Sequence, residues 1–493
     1  MIPFGNKKPG EEAAYRKLCT ALAQKRTGLT IADMTASTAL PLSQVREMLP
    51  RAADEFSANL AVTESGEIIY SFPRGFVSRY RGPAVFLKKL FGRLSKGLKT
   101  AGIFLFKIWI MVMLIGYFIL FLAIAAASLV LSVAAQSKNS GSQRRGNVFM
   151  GPNIFNLIFR LWFYSELTRT YDRSYYPRSG EVKKKSRPLH RAIFSFIFGD
   201  GEPNKDWKNR ENKALIAYIQ ANKGIISLPE FMAISGKDSN TASQELMTFC
   251  VEYGGSPEAT EDGTIVYRFE DLLLRANRQD RSFAGVSPPI ASLKKFSGNT
   301  KTMNICFGII NSVNLFFGSY FLFNVLNYGS FIIAEETKIS SLYEFTYAMI
   351  SVISVNPLPI VGIGLGLVPL VFSLLFWLIP VLRSYFSKKD NETIKLENLK
   401  RLGFNRIWSN PLAVKPADID SEASECRPKK MDIAREKVIK DMGAYSVPEV
   451  TLNEKSETVY SFPELVREKQ TLEKYRSSVK EEGLGSIVFD SRD

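Results

Sequence analysis

Apolar residues gather in three long blocks. Residues 101–136 carry one charge, Lys107, and residues 303–334 and 358–382 carry none. A hydrocarbon core about 30 Å thick is crossed by roughly 20 apolar residues in a helix. Each block is long enough, so the pattern predicts a multi-pass integral membrane protein. The second and third blocks read as transmembrane helices at 303–334 and 358–385. Between them, 335–357 reads as an external loop whose stretch "SLYEFTYAMISVISVNP" suits the membrane interface. The first block would make a helix of about 54 Å, long for one span and short for two. Lys88, Lys89, Arg93, Lys96 and Lys99 precede it, and Lys138, Arg144 and Arg145 follow it. Basic flanks mark cytoplasmic ends, so a hairpin bending near Gly116 is favoured over one long span.

Between the blocks the pattern changes to helical periodicity followed by short alternating stretches. Residues 29–76 align without gaps on 226–273: Ile31 meets Leu228, Leu49 meets Leu246, Gly66 meets Gly263, Tyr70 meets Tyr267 and Phe72 meets Phe269. Each copy reads as three helices and a β-hairpin turning at "ESGE" or "EDGT", where glycine supplies the positive φ of a tight turn. That is the order of a winged helix-turn-helix. A third copy is expected after the last span, with "AVKPADI" opening its second helix, "KKMDIAREKVIKDMGA" as its third helix and "YSVPEVTLNEKSETVYSFPEL" as its wing. The expected modules cover 11–80, 208–276 and 391–470, with a charged tail at 471–493. Their wing cores would be Tyr70, Phe72, Tyr267, Phe269, Tyr460 and Phe462. The predicted fold class is therefore a membrane protein of α-helical spans carrying three α+β winged-helix-like soluble modules.

Charge sharpens the picture. Lysine plus arginine number 64 against 48 acids, a net +16, which suits an anionic membrane surface or nucleic acid. Lys88, Lys89, Arg93, Lys183, Lys184 and Lys185 are candidate lipid-headgroup contacts. The four cysteines lie far apart, with no CxxC pair, and indicate neither a zinc site nor a disulfide framework. The start "MIPFGNKKPG" has no apolar core, so no cleavable signal peptide is expected.

DNA reading is the first suggestion of a winged helix, but it needs basic residues for phosphates. The third helix of the second copy, "SNTASQELMTFCVE", has none. Only the third copy, with Lys429, Lys430, Arg435, Lys437 and Lys440, offers candidate nucleic-acid or anion contacts. Within the second span, Asn304, Asn311 and Asn314 share a helical face, which points to interhelical hydrogen bonding or, more sharply, a substrate path. "GIGLGL" (362–367) reads as a close-packing surface.

The stretch "RPLHRAIFSFIFGDGEPNKDW" (187–207) ends in a Gly-Asp-Gly turn and contains His190, the single histidine. One histidine without a paired nucleophile gives acid–base catalysis little to work with. Residues 151–207 read as an amphipathic, interfacial linker. The phrase "FSFIFGDGEPN", with the spans and the following "ALIAYIQANKG", resembles a family of uncharacterised integral membrane proteins of bacteria and plastids. The resemblance rests on residues 188–273 and implies no activity and no catalytic residue.

These observations lead to the expectation of a non-enzymatic scaffold or assembly protein of the cytoplasmic membrane. It would need no cofactor, and its partners would be membrane lipid and other proteins or further copies of itself. A membrane-tethered DNA-binding regulator and a small transporter or channel component are the alternatives.

Overall fold

The computed structural model describes residues 9–73, 76, 78–79, 83–137, 187–276, 288–329, 342–454, 456–479 and 483–491, with side chains except at 9, 83–96 and 131–137. The chain divides into two units. The first is built from Met1–Lys89, Glu202–Lys294 and Lys388–Asp493; the second from Leu90–Gly201 and Lys295–Ser387.

In the first unit, the N-terminal module contains α1 (Pro9–Gln24), α2 (Ile31–Thr38), α3 (Leu42–Glu55) and the hairpin β1 (Asn59–Thr63) and β2 (Ile68–Ser71). Gly66 turns the hairpin at φ +80°. Leu18, Leu22, Leu29, Met34, Leu49 and Phe72 are among the residues that form its core. Leu29 exchanges both backbone hydrogen bonds with Tyr70, which fixes the hairpin against the entry to α2. The next module contains α6 (Trp207–Ala221), β3 (Ile225–Ser227), α7 (Leu228–Ser235), α8 (Ser239–Tyr253), β4 (Ser256–Ala259) and β5 (Ile265–Arg268). Here the entry to the middle helix is a full strand, giving the sheet order β3-β5-β4.

The third module departs from expectation in three places. Its first helix is the end of α11 (Val368–Ser409), which runs unbroken from the apolar block. No glycine–proline break separates the two, and Pro380 lies inside the helix. Its middle helix is only a 3-10 turn, Pro416–Asp418, since "DSEASECRPK" follows at once in place of a helical turn. Third, the segment expected as a charged tail contains regular structure among its described residues. After α12 (Met431–Gly443), β6 (Glu449–Leu452) and β7 (Thr458–Ser461) comes α13 (Pro463–Ser478), then β8 (Ile487–Asp490), which pairs antiparallel with β1 in the order β2-β1-β8. The alternating "SIVFD" suits an edge strand. Val414 bridges Tyr460 as Leu29 bridges Tyr70. Five of the six expected wing-core aromatics are buried; Tyr460 is half-buried.

The second unit contains α4 (Pro83–Ser137), α5 (Leu189–Phe198), α9 (Lys301–Tyr328), α10 (Leu342–Ser351), the turn Pro357–Pro359, a π-helical stretch Ile360–Leu367 and the start of α11. Among the described residues, three helices are long and apolar enough to cross a membrane. The hairpin expected at Gly116 is not there: α4 is one helix of 55 residues. A single glycine costs a helix about 1 kcal/mol relative to alanine, too little to turn a run with no proline after Pro83. The expected loop 335–357 holds α10, whose Tyr343, Phe345, Tyr347 and Ile350 are buried against Phe121, Phe321 and Val361. The aromatic run before Gly199 is helical, with Ile193, Phe196 and Ile197 packed on Ile110, Phe307 and Phe376. Residues 151–186 of the linker expected at 151–207 lie outside the described residues.

Candidate functional site

Each module of the first unit has an acid at the same point, the third residue after the cap of its middle helix. Thr30 accepts the Asp33 backbone N–H, and the Asp33 carboxylate accepts the Thr30 backbone N–H in return. The acid's half of this box recurs in the other two modules: the Ser227 N–H donates to Glu230 and the Lys415 N–H to Asp418, both at 3.1 Å. A cap of this kind stabilises a helix start by about 1 kcal/mol. These carboxylates do more than cap. The Arg275 Nε donates to Asp33 at 3.2 Å, and the Ala276 N–H adds a second bond at 3.0 Å. Arg476 grips Glu230 through both terminal nitrogens, at 2.7 and 3.0 Å, and also donates to the Ile225 carbonyl. Arg275 follows the hairpin of the second module and Arg476 lies on α13, after the hairpin of the third. The cap acids of the first two modules are thus each bound by an arginine that follows the next module's hairpin.

Packing repeats this order. α2 packs on α6, and the Tyr253 hydroxyl donates to the Ala39 carbonyl. One module on, Gly236 closes α7 at φ +72°, and a Cβ there would come within 2.6 Å of the Arg401 Cγ on α11. Arg401 is fully buried. It lies over the Trp207 ring at 4.5 Å, donates to Asn398, and has the Glu211 and Glu397 carboxylates just under 4 Å away. Burial pushes the Glu211 carboxyl above its usual range, against the pull of Lys208 and Arg401. Lys223 donates to the Arg476 and Val479 carbonyls, and Thr471 to Asp262.

Three asparagines clamp the extended segment after the second module. Asn398 exchanges both amide bonds with the backbone of Ala291, Asn204 with Ser292, and Asn391 with Lys294, all between 2.8 and 3.0 Å. Each asparagine side chain replaces a neighbouring strand, which satisfies the paired N–H and C=O groups of an otherwise unsupported chain. Hydrogen bonds to Glu202 and Asp390 raise the Lys294 ammonium above its usual value and anchor the same segment.

In the second unit the polar groups serve helix packing. Asn311 donates to the Ser373 carbonyl at 3.0 Å, and Asn314 to the Leu114 carbonyl at 2.7 Å. Asn304, placed with them by spacing, bonds instead to Ser297 and Asn299 before the helix. Glycines let backbones approach: a Cβ on Gly318 would lie 2.9 Å from the Leu370 nitrogen, and one on Gly366 3.0 Å from Leu322. Tyr117 donates to the Gly364 carbonyl within the π-helical stretch. At the Gly-Asp-Gly turn, Arg383 donates to the Phe196 carbonyl and stacks on Phe296. Arg187 pairs with Asp200 at 2.6 Å. Burial alone would raise the Asp200 carboxyl, but hydrogen bonds from Arg187 and Ser195 outweigh it and hold the group below its usual range. His190 sits edge-on to Phe104.

The chain is similar to an uncharacterised chloroplast protein of Arabidopsis thaliana. The two are 23% identical over 410 residues, covering 78% of this chain and 70% of the relative. No family model and no solved structure matches the chain. The relative brings in no activity, so the geometry carries the functional reading.

The other residues singled out from sequence are scattered. Lys429, Lys430, Lys437 and Lys440 are exposed, whereas Arg435 is half-buried and held by Asp420, Asp432 and the Ile419 carbonyl. Lys88, Lys89 and Arg93 lie in the first turns of α4, with side chains outside the described residues, as are Lys183, Lys184 and Lys185. The sequence reading missed Asp33, Glu230, Arg275, Arg401, Arg476 and the clamping asparagines. The cap acids had a signal in the spacing of "TIAD", "SLPE" and "KPAD"; the arginines had none, because they act across modules.

Proposed function

We propose that the protein is a non-enzymatic, multi-pass membrane scaffold whose three winged-helix-like modules act as one body for binding other proteins. The observation that carries this reading is the repeated cross-module link from arginine to cap acid. It ties segments far apart in sequence into one unit, as a rigid platform requires. The pieces of that unit pack on each other, so the reading places them on one side of the membrane. The exposed basic residues at the ends of the spans favour the side with anionic headgroups. The membrane would be a bacterial inner membrane or, by the relative, one of a plastid.

In-membrane crosslinking tests the reading. Photo-crosslinkers on the exposed faces of the first unit should capture defined proteins in native membranes, and Arg275→Glu with Arg476→Glu should abolish that capture. Capture that survives loosening of the body would remove the platform idea. The transporter reading draws support from the buried Oδ1 atoms of Asn311 and Asn314, which have no hydrogen-bond partner. It predicts flux in proteoliposomes that disappears in Asn311→Leu. DNA binding would rest on the four exposed lysines of the third module; salt-dependent duplex binding by the full chain would support it.

A further inference from the structure

The links between modules form a series with two open ends. Asp33 is taken by Arg275, and Glu230 by Arg476. The third cap acid, Asp418, accepts the Lys415 N–H, is exposed, and has no ion pair among the described residues. Beside it lies an open hollow of about 510 Å³, lined by α11 residues Gly403, Arg406 and Ser409 and by Asp418, Ile419 and Asp420. At the other end, the first module has an arginine after its own hairpin. Arg79 is seven residues beyond Phe72, whereas Arg275 is six beyond Phe269. Arg79 is exposed, its backbone N–H is fixed to the Glu55 carbonyl, and no acid pairs with it among the described residues.

We infer that a second copy of this chain docks head to tail, with Arg79 of one copy bound to Asp418 of the next. The inference rests on the scaffold reading above and names its partner. Three observations select a second copy as the occupant. Its arginine lies nearly as far beyond its hairpin as Arg275 does, its charge complements Asp418, and the contact continues an interface made twice within the chain. Such a contact is heterologous: the two copies use different surfaces, so it extends to rings or open rows rather than stopping at a pair. The outer face of α1 would meet the hollow, as α6 meets α2 one step earlier.

The test uses the full chain in detergent and in reconstituted vesicles, with its four cysteines replaced. Ser78→Cys and Ala417→Cys, beside the two charges, are joined by a short bismaleimide. The double-cysteine chain should give a ladder of multimers. A mixture of the two single-cysteine chains should give dimers only, and neither single chain alone should crosslink. Arg79→Glu or Asp418→Arg should weaken association about tenfold or more, and the pair together should restore it. Monomers at every concentration, dimers from either single-cysteine chain alone, or association indifferent to the reversals would overturn the inference. Association suppressed by reversal but not restored by the swap would assign Asp418 to a different arginine and also overturn it. Arg476→Glu, measured in parallel by protease resistance of the first unit, separates the two readings. If it loosens the unit and no ladder forms, only the head-to-tail contact fails; if the unit is unaffected, the linked scaffold fails as well.

Discussion

The two units add different polar contacts to their apolar packing. In the first, an apolar cluster runs from the second module into the third, and ion pairs are added at the joins: Glu230 with Arg476, Asp33 with Arg275, and Arg401 buried against Trp207 and Glu211. In the second, the contacts are amide-to-carbonyl bonds and glycine-mediated backbone approach, at Asn311, Asn314, Gly318 and Gly366. Each choice fits its solvent. In water, apolar burial holds the modules together and to one another, and charges add the geometry of the joins. In hydrocarbon, apolar burial does not distinguish a neighbouring helix from lipid, so close packing and hydrogen bonds must. The first unit should therefore respond to pH and to charge removal, and the second to side-chain volume.

Arg476→Ala should produce the largest effect. It leaves the buried Glu230 without its cation, a loss of about 3–5 kcal/mol, seen as lower denaturant resistance of the first unit with the span helices unchanged. Replacing Glu230 and Arg476 together with a matched apolar pair should recover most of the loss; no recovery would mean the arginine acts by packing alone. The next effect is on pH. Burial, with Glu230 and Glu464 nearby, raises the Glu468 carboxyl to about 7, although the Tyr445 hydroxyl donates to it and pulls the other way. The folded state then holds a proton that the unfolded chain gives up near 4.5. Stability should be greatest below that value, fall as pH rises to about 7, and then level off. The total is on the order of 3 kcal/mol. Glu468→Gln should flatten this slope, and a slope that persists would place the titration elsewhere.

Smaller effects belong to the second unit. Gly366→Leu should cost about 1–3 kcal/mol by forcing α9 from the π-helical stretch, read as lost crosslinking between cysteines placed on the two. Asn314→Leu removes one bond to the Leu114 carbonyl and should cost only about 1 kcal/mol, with no change on titrating pH. If either variant altered the pH profile of the first unit, the division of chemistry between the units would be wrong.

Much of this was legible in the sequence, because local pattern encodes local structure. The apolar blocks marked the three long helices, the glycines at 66 and 263 marked turns with positive φ, and the aromatic pairs ending the first two hairpins marked burial. What failed was long-range. Basic flanks suggested a bend at Gly116 that the unbroken α4 does not make, because flank charge says nothing about helix continuity. "AVKPADI" kept its cap acid but lost its helix to the residues that follow it. "GSIVFD" looked like a free tail until β1, more than 400 residues away, gave it an edge to pair with. Arg275 and Arg476 were anonymous basic residues because the acids they bind belong to other modules. Asn204 was visible as part of "FGDGEPN" but not as a clamp, since its partner is the backbone of Ser292.

The central claim is that the three modules form one linked body on one side of the membrane. Single cysteines at exposed positions Ser65, Glu261 and Lys437, one in each module of a cysteine-free chain, test it directly in sealed vesicles of known orientation. All three should react with an impermeant maleimide from the same side. Labelling of Glu261→Cys from the side opposite to Ser65→Cys would contradict it, because the first and second modules could not then be joined through Asp33 and Arg275.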